Sequence, residues 1–262
     1  MKKFWGFLLV IVLMTSCGEY QSLLKSNDYN LVYKKAIEYY NKGDYQRAMN
    51  LLDGVRSVFV GQAKAQNIAY YRAFCSYNMK DYQIASDLFK QFIQTYPESS
   101  FAEECLYMMG FCDYKASPKP RLDQQVTEKA IREFQLYLSR YPYSMRKDKV
   151  NTYMDEMRDK LSYKAYLSAK NYYLREHYKA AVISLQNCLK DYPGSKYREE
   201  IMYMLFVSKY QMAVNSVEDK KVERYNNARE EYYYFADEYP NSRYAADVKK
   251  MYEDCLLYTS DA

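Results

Sequence analysis

The 262-residue chain has a single histidine, His177. It has no glycine-rich loop following a strand, no alternating strand pattern and no cysteines at metal-site spacing. Nucleophilic triads, metal centres and phosphate loops each need one of those parts, so we expect no catalytic residues, no metal and no cofactor. Charge of one sign is also scarce. The 38 Lys and Arg outnumber the 33 Asp and Glu by only five. Two of the five, Lys2 and Lys3, precede an N-terminal apolar stretch, and so weak a bias does not argue for nucleic acid as a partner. No apolar run of membrane-spanning length exists beyond that stretch, and residues 4–14 make only about half of the roughly 20 residues a spanning helix needs.

What is present begins at that stretch. A positive start, a short apolar middle and small Thr15 and Ser16 are the parts of an export signal, so residues 1–16 are read as cleaved. Met14-Thr15-Ser16-Cys17 resembles a bacterial lipobox, with Met14 in place of the usual Leu. The resemblance implies that the Cys17 thiol is diacylated, the chain is cut before it and the new amino terminus is acylated in turn. Two or three acyl chains at about 0.8 kcal/mol per buried CH2 make a permanent anchor. Gly18 and Glu19, with no Asp after the cysteine, fit delivery to the outer membrane. The five remaining cysteines are an odd number, which argues against a disulfide framework in an oxidising compartment and for buried thiols.

Self-similarity organises the body of the chain. "TYPESSFAEE", "RYPYSMRKDK", "DYPGSKYREE" and "EYPNSRYAAD" share Tyr-Pro-x-Ser. Proline breaks a helix and serine caps one, so each copy is expected to end one helix and start the next, with Ser100 and Glu103 forming a capping box. Between these stops, "NKGDYQRA", "NMKDYQIA" and "LREHYKAA" read as tight turns between paired helices. Aligning them puts Ala36, Ala73, Gly110, Ala169 and Phe206 at one position of the first helix. Ala48, Ala85 and Ala181 share one position of the second. Small residues there allow close approach, and Leu52, Phe89, Leu185, Val55, Phe92 and Cys188 fill the seam. This small–Tyr–Ala–aromatic–Pro pattern over residues 29–250 resembles the tetratricopeptide repeat, an all-α superhelical solenoid, here of about five helix-turn-helix units.

Two units are interrupted, one by the proline-bearing "SPKPRLDQQ" and one by the polar "NSVEDKKVER". The excess after Pro142 carries no Gly or Pro and predicts a helix of about 30 residues from near Ser144 to Glu176. The expected organisation is a linker at 17–28, units one to three at 29–142, the long helix with units four and five at 143–250, and a capping segment at 251–262. "LLYTSDA" lacks the polar outer face of a cap, so we expect either that the native chain continues beyond Ala262 or that these last residues are non-native.

Two residue sets draw attention. Glu103–Glu104 and Glu199–Glu200 recur at equivalent places and read as solvated first turns, as His177 reads as a surface turn residue. Tyrosine, at 34 residues, forms five pairs spaced by seven: Tyr33 and Tyr40, Tyr70 and Tyr77, Tyr107 and Tyr114, Tyr166 and Tyr173, Tyr203 and Tyr210. Each pair shares a face of a first helix. The rings either pack between repeats or line a peptide groove, for which the first six are the candidates.

The lipobox, five units, Tyr-Pro-x-Ser junctions and long helix after the third unit together resemble the BamD family, lipoproteins of the outer-membrane β-barrel assembly machinery. That resemblance implies a non-enzymatic scaffold on the periplasmic face of the outer membrane. Its N-terminal repeats would receive unfolded barrel precursors, through Tyr33, Tyr40, Tyr70, Tyr77, Tyr107 and Tyr114. Its C-terminal repeats would dock a BamA-like barrel protein, with Arg224 as a partner contact and Cys17 as the anchor. The alternative is another periplasmic tetratricopeptide adaptor, coordinating envelope division or peptidoglycan synthesis. A carbohydrate-binding helical-repeat lipoprotein would usually need a longer chain.

Overall fold

The structure is a computed structural model that describes residues 18–260. Cys17 and the apolar run before it lie outside the described residues. Among the described residues there is no strand, and no helix is long and apolar enough to cross a membrane. Residues 18–24 are helical. They are followed by α1 (Tyr29–Asn41), α2 (Tyr45–Val55), α3 (Ala63–Asn78), α4 (Tyr82–Thr95), α5 (Ala102–Ala116) and α6 (Gln125–Arg140). Then come α7 (Lys147–Leu174), α8 (Tyr178–Asp191), α9 (Arg198–Val214), α10 (Glu218–Glu238) and α11 (Ala245–Ser260). The all-α tetratricopeptide architecture is as expected, and α7, at 28 residues, is the long helix.

One turn is used three times between first and second helices. At the end of α1, Asp44 N–H bonds Tyr39 O at 2.9 Å and Gly43 N–H bonds Tyr40 O at 3.0 Å. Asp81 with Ser76 and His177 with Tyr172 repeat the longer bond, each at 3.0 Å. This is the 6→1 and 5→2 pattern that satisfies the last carbonyls of a helix when the following residue is left-handed. Gly43 (φ 82°), Lys80 (φ 68°) and Glu176 (φ 59°) supply that conformation. The residue after each starts the next helix, which explains why His177 is an exposed turn residue.

The four Tyr-Pro-x-Ser junctions also share one geometry. Tyr96, Tyr141, Tyr192 and Tyr239 leave the helix at φ between −127° and −132° and ψ between 60° and 65°. A following proline disfavours helical geometry at the residue before it. The serines do not cap the next helix directly. Ser99, Ser144, Ser195 and Ser242 accept from the N–H two residues on, at 3.0–3.2 Å, so each caps one extra turn ahead of the helix. The expected Ser100–Glu103 capping box does not form: Ser100 is exposed, and Glu103 accepts from Tyr137 and Ser144 instead.

The chain divides into two compact units. Unit one runs through Met154 without Lys119–Asp123, and unit two holds Lys119–Asp123 and the chain from Asp155. The boundary therefore lies inside α7 rather than at its start near residue 143. Lys119–Asp123 joins unit two through bonds such as Lys164 Nζ to Leu122 O at 2.9 Å. Each unit has its own core, in which Ala36, Ala48, Ala73, Ala85, Ala169, Ala181 and Phe206 are fully buried. Residues 18–24 do not behave as part of a linker. Tyr20 and Leu23 are buried in the cluster of Val32, Leu51, Val55 and Phe59, because an amphipathic pair of turns gains more from that apolar face than from solvent. The ten residues inserted in the fifth unit, from Asn215 to Arg224, mostly lengthen α10 at its N-terminus.

Candidate partner-binding surfaces

The tyrosine three residues before the small residue of each first helix meets the entry of the next repeat. Tyr70 packs on Phe101 at 4.6 Å, Tyr166 on Tyr197 at 4.3 Å and Tyr203 on Tyr244 at 4.1 Å. In the other two seams a cation takes the same place: Lys64 lies 5.7 Å from the Tyr33 ring and Arg146 4.7 Å from the Tyr107 ring. A ring face accepts either an aromatic or a cation, so one slot tolerates both.

The hydroxyls continue the link between repeats. Tyr70 donates to Glu104 at 3.2 Å and Tyr166 to Glu200 at 2.8 Å. Arg146 pairs with Glu104 and Lys170 with Glu200. The neighbouring acids accept from the next junction: Ser144 donates to Glu103 at 2.7 Å and Ser242 to Glu199 at 2.6 Å. These acid pairs are half-buried clamps between repeats, not the solvated turns read from sequence, because the following junction folds over the helix start that carries them. Their signal was available as a separation of 34 residues, one repeat, between Tyr70 and Glu104 and between Tyr166 and Glu200.

Of the six candidate groove residues, Tyr107 is only 7% exposed and the other five are half-buried. Tyr33 lies 6.0 Å from Phe59, Tyr40 4.9 Å from Tyr71, Tyr77 6.2 Å from Phe111 and Tyr114 4.5 Å from Tyr153. Burial pushes the Tyr40 hydroxyl up to about 12 and raises those of Tyr70, Tyr77 and Tyr107, so all four stay neutral donors. The ring faces thus bind neighbouring repeats, and what five of them leave to solvent is an interrupted strip along α1, α3 and α5. The five cysteines of the body are free and buried, and desolvation pushes the thiols of Cys75, Cys105 and Cys255 up to about 12.

Arg224 stands in unit two at a cleft of about 600 Å³ lined also by His177, Tyr178, Ile183 and Met212. Its Nη1 donates to Met212 O at 3.2 Å and Ser216 Oγ at 2.6 Å, which ties the fifth-unit insertion back to α9. Ile183 is 55% exposed beside it. A fixed guanidinium next to an exposed apolar side chain suits an acidic and apolar protein surface.

A buried charged group was not foreseen. Asp113 on α5, 1% exposed, accepts from Ser86 at 3.0 Å and pairs with Lys129 at 2.9 Å. Glu133, one turn after Lys129 and 8% exposed, is driven up to about 8 by burial and by the hydrogen bond and charge of Asp113. One lysine therefore reaches three carboxyls, Asp113, Asp87 and Glu133, of which Glu133 keeps its proton at neutral pH.

A family model described as "YfiO: Outer membrane lipoprotein" matches residues 25–200 and 165–255. Among solved structures, the TPR2AB-domain:pHSP90 complex of yeast Sti1 is 14% identical, with a TM-score of 0.39 over 87% of this chain and 98% of that one. A TPR repeats protein from Bacteroides fragilis is 12% identical, with a TM-score of 0.42 over 88% of this chain and 99% of that one. No curated protein matches. At these scores the fold rests on the helix pairs of the chain itself.

Proposed function

The chain belongs to the outer membrane lipoprotein family described as YfiO, and from that premise we propose that it is a non-enzymatic scaffold for assembling and inserting β-barrel proteins into the outer membrane. The observation that carries this reading is the family match running through both units. In this reading acylated Cys17 holds the chain on the periplasmic face. The first helices of unit one receive unfolded barrel precursors along the strip left by Tyr33, Tyr40, Tyr70, Tyr77 and Tyr114. Tyr107 acts there as support, since its ring is spent on Arg146 and Phe111. The Arg224 cleft docks a periplasmic domain of a BamA-like barrel protein. Its exposed Ile183 and fixed guanidinium favour this division of labour, because a desolvated apolar contact beside a preorganised cation is what a stable protein interface concentrates at its centre.

The test is affinity purification from native outer membranes in mild detergent, followed by mass spectrometry. A barrel protein with repeated periplasmic domains should copurify, and Arg224→Glu should lose it while the protein remains folded and membrane-bound. Recovery of division or peptidoglycan proteins without such a barrel would replace the reading with that of an envelope adaptor.

A further inference from the structure

In unit one, successive helices alternate in direction. Residues 42–44, 79–81 and the end of α5 at 115–118 therefore lie at one edge, and residues 56–62, 96–101 and 141–146 at the other. Bonds within the second edge agree: Lys64 donates to Asn30 at the start of α1, and Arg140 to Pro97 O. Residues 18–24 run antiparallel to α1. Residue 28 begins α1 at the second edge, whereas Tyr20 lies against Tyr39 at 6.0 Å, under Arg47 at 5.3 Å, and accepts from Asn50 at 3.0 Å. The chain therefore enters the described structure at the first edge, beside Lys42.

Gly18, the residue bonded to Cys17 in the chain, is already the first residue of the docked helix. No slack separates the anchor from the fold. The first edge carries Lys42, Lys80 and Lys115, all exposed and without an ion pair among the described residues, while Arg47 neutralises Asp44 at the same edge. Of the cations at the second edge, Lys64 lies on the Tyr33 ring, Arg146 lies on the Tyr107 ring and pairs with Glu104, and Arg140 donates to a carbonyl, while Arg56 stands exposed. That second edge also bears Tyr143 and Met145, 98% and 102% exposed, where the sister junctions carry Glu98 and Ser100, Gly194 and Lys196, or Asn241 and Arg243.

We propose that the edge bearing Lys42, Lys80 and Lys115 lies against the anionic headgroups of the leaflet that holds the anchor, and that the Tyr143–Met145 edge points away from the bilayer. The proposal rests on the acylation of Cys17 stated above. Three unpaired lysines within reach of a negative surface are attracted to it at separations up to a Debye length, about 8 Å at physiological salt. A docked entry helix makes that separation small for this edge only.

Membrane-purified protein is reconstituted into phosphatidylglycerol-containing vesicles with a nickel-chelating lipid, and a spin label is placed at Lys80→Cys or Tyr143→Cys. The native cysteines of the body are buried with raised thiol pKa values, so the label is selective. Nickel broadening is expected to be several-fold greater at position 80 than at 143, and Lys42→Glu with Lys115→Glu should shrink that difference. Equal broadening, or stronger broadening at 143, overturns the orientation, and so would contact of the 143 edge with a lipid surface. The intact mass of the same sample reports acylation separately: an unmodified Cys17 overturns both the anchor and the orientation, whereas acylated protein with the wrong edge down overturns the orientation alone.

Discussion

Units one and two build the same repeat from different side chains. In unit one, Gly110 lies under the Phe134 ring so closely that a Cβ would come within 2.9 Å of it. In unit two one of the two aligned positions is Phe206, facing Tyr232 at 6.3 Å. With two large residues at the crossing, Tyr232 stays half-buried and stacks on Tyr252 of α11 at 3.9 Å. A small residue under a ring is thus one of two solutions, the other being two large rings covered by a further helix. The slots between repeats differ in the same way. Unit one fills two of its three with cations, while unit two stacks tyrosine on tyrosine within 12° of parallel. What the repeat requires is a filled volume and a partner for a ring face, not a particular residue.

The strongest way to break the comparison is Phe206→Ala. It should cost unit two about 3–5 kcal/mol, since the cavity left by a fully buried ring cannot collapse around a stacked Tyr232. Hydrogen exchange resolved by peptide would locate the loss in α9–α11 and leave α1–α4 protected as before.

A contrast in pH dependence comes next. Glu133 keeps its proton to about 8 when folded but only to its ordinary 4.5 when unfolded. Its contribution to unit one is therefore full below pH 4.5 and lost progressively as pH rises from there through 8. In unit two, burial pushes Glu200 up, but hydrogen bonds from Lys170 and Tyr166 outweigh it and hold the carboxyl below its usual range. Glu238 is lowered by its bond from Arg198. These contributions are present above the ordinary carboxylate range and fade as pH falls below it. Denaturant midpoints from pH 4 to 9 with Glu133→Gln should flatten only the loss that runs from pH 4.5 to 8. An unchanged slope would remove Glu133 as its source.

Gly110→Ala should destabilise unit one by about 1–3 kcal/mol, because the fully buried Phe134 ring has no room to yield. The reverse change at the other aligned site of unit two, Ala169→Gly, should cost about 1 kcal/mol for a different reason, the greater backbone freedom of glycine in the unfolded chain. Calorimetry that ranks the two the other way would show that the seam of unit one is looser than its geometry. The smallest effect should come from Lys80→Gly and Glu176→Gly, which place glycine where the backbone is left-handed. Each should stabilise by up to about 1 kcal/mol, read as a rise in Tm.

Much of the fold was legible because the repeat prints itself in register. The prolines marked the junctions, the alanines marked the crossings, and the stretch without Gly or Pro became α7. The serines were placed at the right junctions but given the wrong bond, because the extra turn depends on three-dimensional closure by Tyr and Pro. Glu103, Glu104, Glu199 and Glu200 looked solvated because local helix logic accounts for them without the junction that folds over them. Asp113 and Glu133 gave no warning, being 20 residues apart and meeting only where α5 and α6 pack.

The sequence by itself determined the helices, their pairing and the turns between them, since each rests on backbone preference and spacing along one strand of chain. Only the tertiary structure decided which tyrosine faces are spent between repeats, which acids clamp and which edge of unit one receives the N-terminal helix. Those outcomes depend on what the neighbouring repeat presents across the seam, and a side chain's partner there is set by packing in space rather than by its place in the repeat.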